Sequence, residues 1–284
     1  MTAAFAGIRR STWSILGLTI VAYACATVVV SAVLFQGRIS ERLGSLYVAT
    51  GFLIQSSLVG GLFSLAVVGI VLFGIGRLRA ADVGWSAREL GVGLLITLGA
   101  WMAINGVLAI LAGLGGGVFL DTAWKQPGTS AVVGALIGQL LGNALVEETV
   151  FRGFMLPQFY FKAAAKFRHS AALFVAFVGT SALFAASHFP NRLFIQGLTG
   201  SELIWDQAGL FLMGLVMATA FVVTRSLFAA VGLHALVNEP TPIVRAPSEA
   251  VMYAVWGGVT VFLLLTWWLV AVAGKRNRDS RLSE

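Results

Sequence analysis

The chain has 284 residues, of which 58% are hydrophobic and 11% are charged. Soluble domains average about 25% charged residues, so the composition excludes an ordinary soluble domain and indicates an integral membrane protein. The net charge of +7 does not indicate nucleic-acid binding, because Lys and Arg lie at the ends of apolar runs rather than in a basic patch. The one cysteine, Cys25, excludes an internal disulfide and a cysteine-based metal cluster.

Eight apolar stretches follow one another along the chain, and a membrane-spanning helix needs about 20 apolar residues. They are 13–35, 50–76, 90–114, 130–161, 170–189, 206–225, 227–239 and 250–273. The seventh is short, so it is either a half-span or a continuation of the sixth after a break. With no internal repeat or soluble domain, the pattern predicts an all-α polytopic membrane protein. Residues 1–284 would form a single integral membrane domain of about eight transmembrane helices.

The charges of the connecting segments predict the orientation of the chain in the membrane. With the N-terminus inside, the cytoplasmic side carries 13 basic residues: Arg9, Arg10, Arg77, Arg79, Arg88, Lys162, Lys166, Arg168, Arg225, Lys275, Arg276, Arg278 and Arg281. The outer side carries five: Arg38, Arg42, Lys125, Arg192 and Arg245. Both termini are therefore predicted to be cytoplasmic, in the inner or plasma membrane. Arg9 and Arg10 before an apolar run are also typical of a signal peptide, but the length of the run favours an uncleaved first span.

A polar stripe runs along the fourth apolar stretch. Gln139, Asn143 and Glu147 are spaced i, i+4 and i+8, so they share one helix face. Hydrogen bonding between helices explains Gln139 and Asn143 well. It explains Glu147 less well, because an ionisable group in a membrane helix is costly and normally marks function.

Two further charged residues follow in the same stretch. Glu148 and Arg152 are spaced i and i+4 with the acid first, which is the favourable order for an intrahelical ion pair. We therefore assign this pair mainly to structure. Glu147 lies about 100° around the helix from Glu148, and it remains available as a general base that activates water.

Two later stretches each carry one histidine. His188 ends the fifth stretch, with Phe184 one turn before it, and His234 and Asn238 are spaced i and i+4 in the seventh. Taken alone, each of these residues is typical of a cap or a polar contact between helices. Together, His234 and Asn238 can donate hydrogen bonds to a developing oxyanion.

The polar residues of these three stretches can lie at the same depth in the membrane. The fourth and fifth stretches should form a hairpin with its turn near 162–169. At 1.5 Å per residue, Glu147 lies about 22 Å from the turn and His188 about 27 Å. His234 and Asn238 come level with them if the turn extends about 10 Å into the cytoplasm. The sequence therefore predicts one shared intramembrane site in a cavity.

Three motifs, in this order, resemble those of the CPBP family, the type II CAAX prenyl endopeptidases and their bacterial relatives, often called Abi proteins. EExxxR is matched by Glu147, Glu148 and Arg152, FxxxH by Phe184 and His188, and HxxxN by His234 and Asn238. The resemblance covers about 130–245, the expected catalytic core. It implies an eight-helix intramembrane glutamate endopeptidase with no catalytic metal and no cofactor. Its partners would be the lipid bilayer and a peptide or lipidated protein substrate, with no nucleic acid.

The resemblance also implies a role for each motif residue. Glu147 would be the general base, and His188 would position the water or protonate the leaving amine. His234 and Asn238 would stabilise the oxyanion. Structural support would come from Asn143, Glu148, Arg152 and Phe184.

Two other functions are compatible with the same residues. Glu147, His188 and His234 offer three ligands for zinc, although the HExxH pattern is missing. Alternatively, the protein is a non-enzymatic membrane scaffold or an immunity-type protein that keeps the motifs for folding. Gly60 and Gly61 can serve helix packing within one chain or between chains, so the oligomeric state stays open.

Overall fold

The computed structural model describes residue 5 and residues 7–281, with the backbone alone for residues 274–281. The described part contains helices and no β-strand, and its one isolated bridge joins Leu120 to Val244. The helices are Trp13–Leu34 (α1), Gly37–Ala49 (α2), Ser56–Ile75 (α3), Ala87–Leu114 (α4), Thr129–Ala163 (α5), His169–Ile195 (α6), Gly200–Thr224 (α7), Leu227–Asn238 (α8) and Glu249–Arg281 (α9). The predicted all-α class is confirmed.

Seven helices of the described part are long and apolar enough to cross a membrane, namely α1, α3, α4, α5, α6, α7 and α9. Helix α8, the short seventh stretch of the sequence, has 12 residues and forms a half-length helix. It is separated from α7 by Arg225, whose φ is 53°. The Ser226 hydroxyl then accepts a hydrogen bond from the Ala229 N–H and caps a new helix. The protein is therefore a polytopic helical membrane protein, and its described part contains seven candidate full spans and one half-length helix.

Helix α5 carries the Glu-Glu-Arg motif and departs from regular α-helical geometry on both sides of it. The π-helical stretches Gly138–Ala144 and Thr149–Met155 flank a single α-helical turn, Leu145–Glu148. Pro157 follows the second stretch, and its missing N–H cannot bond to the carbonyl four residues earlier. Single π-helical stretches also end α1, α3 and α6, whereas α5 has two, one on each side of the motif. Such turns are rare overall and are frequent at functional sites.

Small residues bring α3 close to α5. A Cβ added to Gly61 would overlap the backbone of Gly142, and a Cβ on Gly142 would lie 2.6 Å from the carbonyl oxygen of Ser57. Glycine allows such an approach because it has no side chain. Gly61 therefore serves packing within this chain, which sets the position of the motif turn relative to α3.

Helix α8 lies in the middle of the bundle and packs against α4, α5 and α7. All residues from 229 to 236 are buried, as expected for a helix that is apolar on every face. His234 is the one polar side chain among residues 229–236, and it is 1% exposed. Helix α8 thus places one histidine in the interior of the protein.

Candidate active site

A cavity of about 960 Å³ lies between α1, α3 and α5 to α9. Seven polar or aromatic residues singled out in the sequence line it: Gln139, Asn143, Glu147, Phe184, His188, His234 and Asn238. Glu148 and Arg152 are not among the lining residues, and they lie buried behind the wall. The three motifs therefore meet at one cavity, with Glu147 at its wall and the Glu148–Arg152 ion pair behind it.

The Glu147 carboxylate lies between two imidazole rings. Its Oε1 is 3.9 Å from Nε2 of His188, and its Oε2 is 3.7 Å from Nε2 of His234. Glu147 is 5% exposed, and its Oε2 has no hydrogen-bond partner within the described part of the chain. Both separations exceed hydrogen-bond length, so the facing atoms are free to bind a common third group.

His188 is held in one orientation by its own helix. Its Nδ1 lies 2.8 Å from the carbonyl oxygen of Phe184, and a carbonyl oxygen only accepts hydrogen bonds. Nδ1 therefore carries the proton, and in the neutral ring Nε2 presents a lone pair towards Glu147. The Phe184 ring packs against the imidazole with centroids 4.8 Å apart. Pro190 lies two residues later, where the regular helix gives way to the π-helical stretch Asn191–Ile195.

Glu148 and Arg152 form the ion pair expected from their spacing, with Nη1 of Arg152 donating to Oε1 of Glu148 at 3.0 Å. Both side chains are almost fully buried, with exposures of 2% for Arg152 and 0% for Glu148. Nη2 of Arg152 donates to the carbonyl oxygen of Gly214 on α7 at 3.0 Å. Its guanidinium also lies 4.5 Å from the centroid of the Phe184 ring. This network links α5, α6 and α7 behind the cavity.

His234 joins the buried network to the cavity. Its Nδ1 donates to Oε1 of Glu148 at 2.7 Å, because an ionised carboxylate only accepts. Its Nε2 consequently points at Glu147. A carboxylate that orients a histidine through its second nitrogen is a common arrangement in functional sites. The i, i+4 spacing predicts a support role for Glu148 through Arg152 alone, and it gives no sign of this link to a residue 86 positions away.

Asn238 lies near the rim of the cavity and is exposed. Its Nδ2 donates to Oε1 of Gln139 at 3.2 Å. Gln139 and Asn143 precede Glu147 on the wall contributed by α5. The polar stripe of α5 therefore extends from the rim of the cavity to Glu147, and Asn238 on α8 contacts it at Gln139.

One ion pair in the cavity wall was missed as a site feature. Nε of Arg192 donates to both carboxylate oxygens of Asp206 at 3.1 and 2.9 Å, joining α6 to α7. From the sequence, Arg192 is expected only as a charge of a connecting segment. An available signal was Asp206, an acidic residue at the start of a predicted apolar stretch.

Among the described residues, no cluster of three or more His, Cys, Asp and Glu side chains is arranged to hold a metal ion. Glu147, His188 and His234 thus meet as a carboxylate flanked by two rings, each ring fixed through its Nδ1.

The fold and the cavity together define a polytopic helical membrane protein with a buried glutamate–histidine site. The model of a family described as type II CAAX prenyl endopeptidase Rce1-like matches residues 129–239. This segment runs from the start of α5 to the residue after α8 and contains all three motifs. This match supports the resemblance to the CPBP family and, at the family level, a CAAX-type intramembrane protease. No curated protein and no solved structure matches the chain.

Proposed function

We propose that the protein is an intramembrane endopeptidase that hydrolyses a peptide bond of a membrane-associated or lipidated substrate. The observation that carries the proposal is the buried Glu147 carboxylate, which faces Nε2 of His188 and Nε2 of His234 at the wall of a cavity. The catalytic core would be about 130–245 within a single membrane domain formed by residues 1–284. No cofactor is needed, since these side chains supply each proton transfer.

Glu147 acts as the general base in this reaction. A water molecule bound between the carboxylate and Nε2 of His188 gives one proton to Glu147, and its oxygen attacks the carbonyl carbon. The lone pair on Nε2 of His188 positions the water. When the C–N bond breaks, the same proton passes from Glu147, directly or through His188, to the leaving amine. One water is consumed, and the products are a carboxylic acid and an amine.

His234 and Asn238 stabilise the oxyanion of the tetrahedral intermediate. His234 already donates through Nδ1 to Glu148, so it must be protonated on Nε2 as well to donate a second hydrogen bond. The Asn238 amide has two N–H groups, of which one is bonded to Gln139 and the second is left for the oxyanion.

We further propose that the protein lies in the inner or plasma membrane with both termini in the cytoplasm. The split of 13 to five basic residues between the two sides supports this orientation. The substrate would enter with an apolar or lipidated part in the bilayer, because the reactive carboxylate lies within the span of α5.

The test compares the membrane-associated peptides of cells that express the wild-type protein with those of cells that express Glu147→Gln. A precursor should accumulate and its product should disappear in the variant, because glutamine is close in shape to glutamate but cannot act as a base. Glu202→Gln is the matched control, since Glu202 is exposed at the start of α7. A folded Glu147→Gln protein with an unchanged peptide profile would contradict the proposal and favour the scaffold or immunity-type alternative.

A further inference from the structure

The cavity occupies one half of the bundle, measured along the helix axes. Helices α1 and α6 line it with their C-terminal parts, which include Ser31 and Arg192. Helices α3, α7 and α9 line it with their N-terminal parts, which include Ser57, Asp206 and Tyr253. Because consecutive spans run in opposite directions, all of these helix ends lie on one side. That side is opposite to the one from which α1 starts.

The two sides of the bundle differ in charge. The side from which α1 starts carries the cluster of 13 basic residues, and the side of the cavity carries five. All connecting segments in the described chain are short, which is the condition under which basic residues determine orientation. The cavity is therefore in the half of the protein that faces away from the cytoplasm.

Helix α2 adds a second observation on the same side. Gly37–Ala49 connects the end of α1 to the start of α3, beside the cavity, and none of its residues is buried. It presents Ile39 and Leu46, which are 41% and 39% exposed, together with Arg38 and Arg42. An amphipathic helix of this kind lies in the interface between lipid headgroups and acyl chains. The cavity thus opens beside the membrane surface.

We propose that the substrate is a peptide segment presented at the non-cytoplasmic surface of the membrane. This inference rests on the proposed protease function and narrows it. Suitable substrates are exported peptides that associate with the outer leaflet and membrane proteins cleaved near the outer end of a span. A lipidated C-terminus displayed in the cytoplasm would approach the opposite side of the bundle and would not reach Glu147.

Cysteine labelling tests which side the cavity faces, and it does not depend on activity. Cys25 is the one native cysteine, so a Cys25→Ala protein is a background for single substitutions. Ser57→Cys reports on the cavity wall, Ser201→Cys on the cavity side at the start of α7, and Lys166→Cys on the turn between α5 and α6. A membrane-impermeant thiol reagent is added either to intact cells or to cells that have been permeabilised.

We expect labelling of Ser57→Cys and Ser201→Cys in intact cells, and labelling of Lys166→Cys only after permeabilisation. The reverse pattern would overturn the sidedness, and a Ser57→Cys protein that never reacts would overturn an open cavity. The products that disappear in Glu147→Gln cells then test the substrate class. Cleavage sites at non-cytoplasmic segments support the inference, whereas sites at cytoplasmic ends overturn it and leave the protease function intact. If no product disappears, the protease function itself fails.

Discussion

Removal of the charge of Arg152 should destabilise the protein far more than removal of an equivalent charge at the cavity rim. Arg152→Met keeps much of the length of the side chain but leaves Glu148 buried without its cation. The matched control is Arg192→Met, because the Arg192–Asp206 pair has a similar separation, 2.9 Å against 3.0 Å. The two pairs differ in burial: Arg192 and Asp206 are 19% and 25% exposed, Arg152 and Glu148 2% and 0%.

The expected magnitude follows from this burial. At an effective dielectric constant of about 20, unit charges 3.0 Å apart attract each other by about 5.5 kcal/mol. Breaking a buried pair by removing one partner costs about 3–5 kcal/mol, because the other charge is left uncompensated. Arg152→Met also removes the hydrogen bond to Gly214 and the contact with the Phe184 ring. Partly exposed pairs contribute about 0–1 kcal/mol, which is the expectation for Arg192→Met.

The assay is a denaturant titration of each purified variant in detergent micelles, followed by tryptophan fluorescence. The double variant Glu148→Gln/Arg152→Met completes a double-mutant cycle. It should be less destabilised than the sum of the single variants by about 1–3 kcal/mol, since the second change removes the orphaned charge. Two results would refute the inference that Arg152 compensates a buried charge. One is an equal loss of unfolding free energy for Arg152→Met and Arg192→Met. The other is a double variant whose loss equals the sum of the losses of its two single variants.

Three further outcomes are expected. Gly61→Ala should destabilise the protein by about 1–3 kcal/mol in the same titration, because its Cβ overlaps Gly142. The control Gly106→Ala should change stability by less than about 1 kcal/mol, because a Cβ at Gly106 meets nothing within 4 Å. Equal effects of the two substitutions would refute the close packing of α3 against α5. His188→Gln should lower the rate of peptide cleavage by about 10²–10⁴-fold with a nearly unchanged unfolding midpoint, and retained activity would remove His188 from the mechanism. Purified protein treated with a strong zinc chelator should keep its activity, whereas a loss reversed by added zinc would establish the zinc alternative.

Much of the fold could be predicted because hydropathy and helical spacing are local properties of the sequence. The stretch 130–161 corresponds to α5, and the ion pair of Glu148 and Arg152 follows from their i, i+4 spacing. Helix boundaries that depend on backbone turns are predicted less accurately from the sequence. The stretch predicted from residue 50 begins as a helix only at Ser56, because Gly51 and Phe52 have φ values of 62° and 71° and turn the chain.

The contacts between helices could not be predicted in the same way. The Gly214 carbonyl is a backbone atom of an apolar helix, and nothing in the sequence marks it as the second acceptor for Arg152. The link from Glu148 to His234 depends on how α5 and α8 are rotated about their axes. The π-helical stretches of α5 change that rotation, whereas depth arguments from the sequence use the rise of a regular α-helix.

The buried network gives the two adjacent glutamates different surroundings and also connects them. Glu148 is held by Arg152, so its charge is compensated and its position is fixed. Because Glu148 accepts from Nδ1 of His234, the proton of that ring is placed on the side away from the cavity, and Nε2 is turned towards Glu147. Among the described residues, Glu147 has an imidazole on each side and no bonded cation. In the proposed mechanism, a proton taken from water would therefore have a short path to a histidine. The residue that braces the bundle therefore also fixes the orientation of the ring that Glu147 faces.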